Sequence, residues 1–274
     1  MPRNIRETCA LCESAAARYG HGMSDTRIWT AALLIIGDEI LSGRTQDANT
    51  ANLAKWLNVQ GIRLAEVRIV GDDMAAIGEG VNALRERNDY LFTTGGIGPT
   101  HDDITVDAIA AALGVPVVVD PQALAELEAY YATRGGLSEA RKRMARVPQG
   151  AQLIENKISG APGIQCGNIF ILAGVPRIAL LMLDGLVGKL QGGAPMLSRT
   201  IGCWVPESEV ADLLWKIEEK HEGCKIGSYP FFREGKTGAN FVIRSTSADA
   251  LERCLADLSE RLSATGLAPV IDGI

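Results

Sequence analysis

The chain has 274 residues, 47% hydrophobic and 22% charged, a length and composition that suit one large folded domain plus a smaller one and exclude a disordered polymer. Its formal net charge of -6 and pI near 5.2 exclude the basic face of a phosphate-backbone binder, so nucleic acid is not an expected partner. No apolar run approaches the roughly 20 residues of a membrane span, and the segment before Met23 lacks the apolar centre of a signal peptide, so a cytoplasmic protein without a membrane partner is expected.

Residues 1–27 show no sustained periodicity and are expected to be a disordered extension, with Met23 as an alternative start. Cys9 and Cys12 form a CxxC pair, but no second pair of Cys or His completes a structural zinc site. The six cysteines are scattered and read as reduced, mostly buried thiols. Thr30 to Ile36, TAALLII, is an apolar run closed by Gly37 and Asp38, which suits a strand covered on both faces. Ala48 to Leu57 sets Leu53, Trp56 and Leu57 on one helical face, and Gly61 ends it. Ile62 to Val70 reads as a strand, Met74 to Arg87 as a helix and Tyr90 to Thr94 as a short buried strand.

A helix over Ile104 to Leu113 is expected next, capped by Asp102 or Asp103 and stopped by Gly114, before a strand over Val115 to Val119. Pro121 to Arg134 and Ser138 to Arg146 are helical by spacing, Ala151 to Leu172 is β-rich, and Val175 to about Lys189 is a helix. This alternation predicts an α/β fold with right-handed crossovers, a largely parallel sheet and helices on both faces. Ligands then sit beyond the C-terminal strand ends, where the loops after Ile36, Val70 and Thr94 meet. Gln191 to Pro195 has linker composition and divides a domain at 28–190 from one at 196–274. The second reads βαββαβ, a small ferredoxin-like α+β arrangement.

The segment most suggestive of chemistry is TTGGIGPTHDD, Thr93 to Asp103. Gly95, Gly96 and Gly98 permit positive φ and close approach, so that successive N–H groups can converge on an anionic oxygen, aided by the following helix, and Thr94, Gly95, Gly96, Gly98, Pro99 and Thr100 are the expected binding loop. Asp102 and Asp103 suit that place if a divalent cation lies between them and a phosphate; otherwise they are caps. His101 is either a general base or a solvated loop residue. Asn49 and Asn156 are candidates to orient a ribose or phosphate, and Ala161, Pro162 and Gly163 to form a second backbone edge. His21 and His221 read as surface. In the second domain, SYPFFREGKTG interleaves aromatic and basic residues, a pattern shared by base-stacking surfaces, core hairpins and interfaces.

The strings GDEILSGRTQDANT, VGDD, TTGGIGPTHDDITVDAIAAALG, SGAPG and GVP closely resemble the molybdopterin-binding domain of molybdenum-cofactor biosynthesis proteins, and most nearly the N-terminal domain of the competence/damage-inducible protein A family. The resemblance covers about residues 28–190. It implies a three-layer α/β/α domain, an oligomer of like chains, and roles for Asp38 and Glu39, for Asp72, and for Gly95 to Asp103. It also implies a divalent metal (Mg, Mn or Co) and cleavage of a dinucleotide pyrophosphate such as ADP-ribose or FAD. Non-catalytic binding of molybdopterin or a nucleotide, and molybdopterin adenylyl transfer, use the same parts. From the residues alone, Asp38 and Glu39 are also a turn and a helix start, and Asp72 or Asp73 also a helix cap. The chain stops short of the family's nicotinamide-nucleotide amidase domain, so that activity is expected to be absent. Lys157 to Ser159 and Ala173 depart from the family pattern and point to a stand-alone branch.

Overall fold

A run as apolar as TAALLII has to be covered on both faces and paired on both edges. In the computed structural model, which describes residues 27–156 and 158–274, it forms β1 (Trp29–Ile36) inside a six-stranded sheet. The expectations for the N-terminal extension, Met23, His21 and the Cys9–Cys12 pair lie outside the described residues, as does Lys157.

After β1 come α1 (Asp38–Leu41), α2 (Asn49–Val59), β2 (Ile62–Val70), α3 (Met74–Arg87), β3 (Tyr90–Thr94) and α4 (Thr105–Leu113). They are followed by β4 (Val117–Val119), α5 (Pro121–Tyr131), α6 (Glu139–Lys142), β5 (Arg146–Pro148), β6 (Gln152–Ile154), β7 (Gly163–Cys166), β8 (Ile169–Leu172) and α7 (Pro176–Asp184). The sheet order is β2-β1-β3-β8-β7-β6; the first four strands are parallel and the last two antiparallel. Alternate residues of β1 serve two cores. Leu33 and Ile35 pack with Leu53 and Leu57 of α2 and Met182 of α7, whereas Leu34 and Ile36 pack with Ile77 and Leu84 of α3 and Ile109 of α4. Each such side chain contributes about 1.5–3 kcal/mol by leaving water, and the result is the expected three layers.

Three local expectations are corrected. Val117–Val119 does not join the main sheet but pairs with β5 in a separate two-stranded ribbon. The helix expected through Arg146 ends instead in a 3-10 turn at Arg143–Ala145, because Pro148 biases Val147 toward extended backbone and cannot continue a helix. The helix expected to reach Lys189 stops at Asp184. There Gly185 comes so close to the Glu155 carbonyl that a Cβ would stand 3.3 Å from it.

The residues from Ala194 onward form a second unit. Its elements are β9 (Leu197–Cys203), α8 (Glu207–Lys220), β10 (Lys225–Arg233), β11 (Lys236–Ser245), α9 (Ala248–Ala264) and β12 (Val270–Ile271), in the antiparallel order β10-β11-β9-β12. This is the predicted βαββαβ arrangement, with the last strand shortened after Pro269, which has no N–H for a ladder. Cys203, Cys224 and Cys254 are buried here, as Cys166 is in the first unit. Among the described residues no helix is long and apolar enough to cross a membrane.

His221 is not the free surface residue expected. Its Nε2 lies 2.9 Å from Asp257 Oδ2, an oxygen that also accepts from Lys220 Nζ at 2.6 Å, while Asp257 Oδ1 accepts from Arg261 Nε at 2.8 Å. Hydrogen bonds from Lys220, then His221 and Arg261, hold this carboxyl far below the usual range against the opposing effect of burial. A carboxyl with a depressed folded-state pKa contributes stability above its unfolded pKa and loses it as the pH falls. Asp257→Ala is therefore expected to cost about 1.5–3 kcal/mol in urea unfolding at pH 7. That deficit should shrink as the pH falls below about 4; a deficit of the same size at every pH would contradict the charge assignment.

Candidate functional site

The parallel register sets Ile36 against Val70 and Ile35 against Thr94, so the loops that follow all leave one edge of the sheet. Gly37 N–H extends the pairing to Val70 O at 3.1 Å. Asp38 and Glu39 then begin α1, and the Asp38 N–H donates to Asp72 Oδ2 at 3.0 Å. The Asp38 carboxylate rests on Gly71, where a Cβ would come within 2.3 Å of Oδ1. The sequence left open which aspartate caps α3; the structure divides the pair. Asp73 accepts from Ala75 N and Ala76 N, at 3.0 and 2.8 Å, while Asp72 is turned to the site. Burial pushes the Asp72 carboxyl above its usual range, the Asp38 N–H opposes this, and the neighbouring carboxylates of Asp38, Glu39 and Asp102 add to the rise.

In the glycine loop, Gly95 and Gly96 have φ of 105° and 65°, and both are enclosed. A Cβ on Gly95 would stand 2.0 Å from Ile36 O, and one on Gly96 2.2 Å from Thr105 Oγ1. Thr105 ties the loop to α4, its Oγ1 donating to Gly95 O at 2.9 Å and its N–H to Gly96 O at 3.1 Å. Gly98 is not among the positive-φ residues; it is small because the Asp103 carboxylate lies 2.7 Å from where its Cβ would be.

Asp103 is not a cap. The N-terminal capping position of α4 is Ile104, without a side-chain bond. Asp103 instead reaches back to its own loop, accepting from Gly98 N and Thr100 N, each at 2.7 Å, and from Thr100 Oγ1. The expected cradle is correspondingly narrower, because Gly95 N–H donates to Leu172 O and Gly98 N–H to Asp103. Gly96 and Ile97 keep N–H groups without an acceptor among the described residues. Pro99 and Thr100 form the outer rim, and His101 and Asp102 are exposed. The Asp102 carboxyl lies below its usual range, chiefly through its hydrogen bond with Thr100.

On the α4 side of this loop, Gly96, Gly98, Asp103 and Pro162 line a hollow together with Asp107, Arg143 and Arg146. Arg146 pairs with Asp107; Arg143 has no partner among the described residues. Sequence reasoning missed both arginines by reading Ser138 to Arg146 as a helix. The signal was the basic run from Arg141 to Arg146 placed just before Pro148.

The weaker candidates separate. Asn49 is buried beside the loop, its Nδ2 donating to Gly174 O at 2.8 Å, and Gly174 packs against Gly95. Asn49 Oδ1 and Thr94 Oγ1 are buried without a partner among the described residues. Asn156 is engaged within its own turn. Its Nδ2 donates to Ala161 O and Ser159 Oγ, and its Oδ1 accepts from Ile158 N and Ser159 N, so its amide is consumed in shaping its own turn. Of Ala161 to Gly163, Pro162 lines the hollow, while Gly163 is packed against Ile154 and Met182. Among the described residues no three acidic, His or Cys side chains converge closely enough to form a metal cage by themselves.

Residues 32–192 match the family described as "Probable molybdopterin binding domain", and residues 195–270 match "FAD synthase, middle domain". A CinA-like protein of Desulfosudis oleivorans is 36% identical over 209 residues, covering 72% of this chain and 51% of that protein. A protein of Caenorhabditis elegans named "Probable FAD synthase" is 28% identical over 264 residues, 85% of this chain and 50% of its own. The chain thus spans about half the length of these two relatives. The solved structure of CinA from Thermoplasma acidophilum, described as of unknown function, is 32% identical with a TM-score of 0.56, covering 59% of this chain and 98% of that one. The resemblance read from the sequence motifs is borne out: the chain belongs to the molybdopterin-binding domain family, alongside CinA-like proteins.

Proposed function

We propose that this chain is a metal-dependent nucleotide pyrophosphatase acting on ADP-ribose- or FAD-type dinucleotides. The observation that carries the reading is the division of charge about one loop. A carboxylate group of Asp38, Glu39, Asp72 and Asp102 lies on one side, and a hollow bearing the unpaired Arg143 lies on the other. The free N–H groups of Gly96 and Ile97, with Arg143, bind one phosphate of the pyrophosphate. Asn49, whose buried Oδ1 has no partner among the described residues, is the group that would orient the sugar. Water adds to phosphorus, the bridging P–O bond breaks, and AMP leaves with the second monophosphate.

The residues present fit a divalent ion held in the magnesium manner, by one or two carboxylates plus phosphate oxygens. Asp72 and Asp38 would hold it, since among the described residues no cationic side chain pairs with either, and Asp103 has both oxygens engaged by its loop. When bound, such an ion (Mg, Mn or Co) polarises the phosphoryl oxygens and lowers the cost of ionising water.

The test is to incubate the purified chain with ADP-ribose and with FAD in the presence of each of the three metals. AMP release that stops on adding EDTA is expected. Absence of AMP with both substrates and all three metals would refute the activity. Stoichiometric binding of molybdopterin or nucleotide without product would assign the fold a non-catalytic binding role instead.

A further inference from the structure

In the second unit α8 and α9 cover one face of the sheet, with Ile201, Cys203, Phe241 and Ile243 beneath them. The antiparallel register places the alternate residues on the opposite face, among them Tyr229 and Phe231 of β10 and Asn240 and Arg244 of β11. That face is tiled with rings. Tyr229 folds over Gly227, where a Cβ would stand 3.1 Å from it, and Phe231 covers Gly238, where one would stand 2.5 Å away. Arg244 lies over Tyr229 at 6.0 Å and Arg233 over Phe231 at 4.9 Å, with Trp204 edge-on to Phe231 at 5.3 Å.

Asn240 stands opposite Tyr229 in the register, and its carboxamide is matched by one residue. The Ile274 N–H donates to Asn240 Oδ1 at 3.0 Å, and the Ile274 main-chain oxygen accepts from Asn240 Nδ2 at 3.3 Å and from Arg233 at 3.1 Å. Gly202 makes room, since a Cβ there would meet Ile274 at 2.8 Å. The segment reaches this seat through two consecutive left-handed residues, Asp272 at φ 67° and Gly273 at φ 93°. For Asp272 that conformation is costly, so the seat is held against backbone strain.

A donor and an acceptor side by side, taken up by one asparagine amide, is the pattern that adenine presents with its N6 amino group and N7. The flanking rings supply stacking surface and the two guanidinium groups supply anion partners. We infer that this open sheet face is an adenine-nucleotide site, closed in the structure by residues 272–274. The adenine edge takes the place of Ile274 on Asn240, the base stacks beside Tyr229 and Phe231, and the phosphate meets Arg233 or Arg244. A free nucleotide is the occupant rather than a polynucleotide, because acidic side chains outnumber basic ones from residue 194 onward. The site is separate from the glycine loop and does not depend on the activity proposed there.

Titrating the 15N-labelled full chain with AMP and with IMP, which has an acceptor in place of the amino group, tests it. AMP should shift the amides of Gly202, Phe231 and Asn240 saturably and bind at least about tenfold more tightly than IMP. Asn240→Leu, which removes both the acceptor for the N6 amino group and the donor to N7, should abolish that preference; Gly273→Val, which unseats the turn, should raise AMP affinity about threefold or more. If either variant fails to fold, the AMP-to-IMP ratio of the parent chain decides. Equal affinities for AMP and IMP, or shifts confined to residues 95–103, would overturn the site. So would an oligoadenylate that binds far more tightly than AMP with a steep salt dependence. Saturable shifts on this face without AMP release in the turnover assay would uphold this site and refute the proposed activity.

Discussion

Asp103→Ala is expected to release the glycine loop, lowering stability by about 2–3 kcal/mol and phosphate-ligand binding by about a hundredfold. The parent carboxylate receives the N–H groups of Gly98 and Thr100 and the Thr100 hydroxyl. Hydrogen bonds to a charged acceptor contribute about 1.5–3 kcal/mol each, less where solvent competes. The larger effect is on binding, because the N–H groups of Gly96 and Ile97, proposed to hold the phosphate, keep their direction only while the loop holds its shape, and small misplacements cost about a hundredfold. The asparagine variant discriminates between roles. At a helix cap Asn and Asp are nearly equivalent, but here one carboxamide NH2 must face an N–H donor, so Asp103→Asn should melt between the parent and the alanine variant. Thermal melts together with ADP-ribose calorimetry in EDTA provide the check. An asparagine variant that melts like the parent and loses only metal-dependent binding would return Asp103 to the role of metal ligand.

The contrast between cap and loop clamp shows where sequence reading stops. Thr93 to Asp103 announced a close-approach loop because glycines between a buried strand and a helix have few other uses, and β1 was legible because an unbroken apolar run has only one kind of environment. Direction was not legible. Asp103 precedes α4 as a cap would, and Asp72 and Asp73 both precede α3. Spacing reports which backbone donors are near in the chain, whereas the carboxylates answer donors made near by the turn. Asn156 is a related case, since its amide is bonded to partners two to five residues away, an arrangement the spacing alone did not announce. Arg143 and Arg146 were hidden because the β4–β5 ribbon that carries them to the hollow is fixed by pairing between segments, which no local period encodes. The second unit's order was readable from its alternation, but the tiling of its open face depends on strand register.

Asp72→Asn is the substitution with the most divided expected result: metal-dependent turnover falls by about a hundredfold or more, while the fold becomes no less stable. Asparagine keeps a carbonyl oxygen for the Asp38 N–H and removes the charge that burial and the neighbouring carboxylates of Asp38, Glu39 and Asp102 oppose. Removing one preorganised charge from a phosphoryl-transfer site costs about 10²–10³ in rate. The stability effect has a definite sign. A carboxyl whose folded-state pKa is raised favours the folded protein when protonated, and that contribution is lost as the pH rises through the folded-state pKa. In the metal-free protein, the parent should therefore lose stability relative to Asp72→Asn as the pH rises from about 4 through the raised pKa, with the difference constant above it. Urea unfolding in EDTA across that range measures the term, and AMP release with saturating metal measures the other half. A variant that is clearly destabilised at neutral pH would make Asp72 a structural anchor, and one that retains parental turnover would remove it from the metal's coordination.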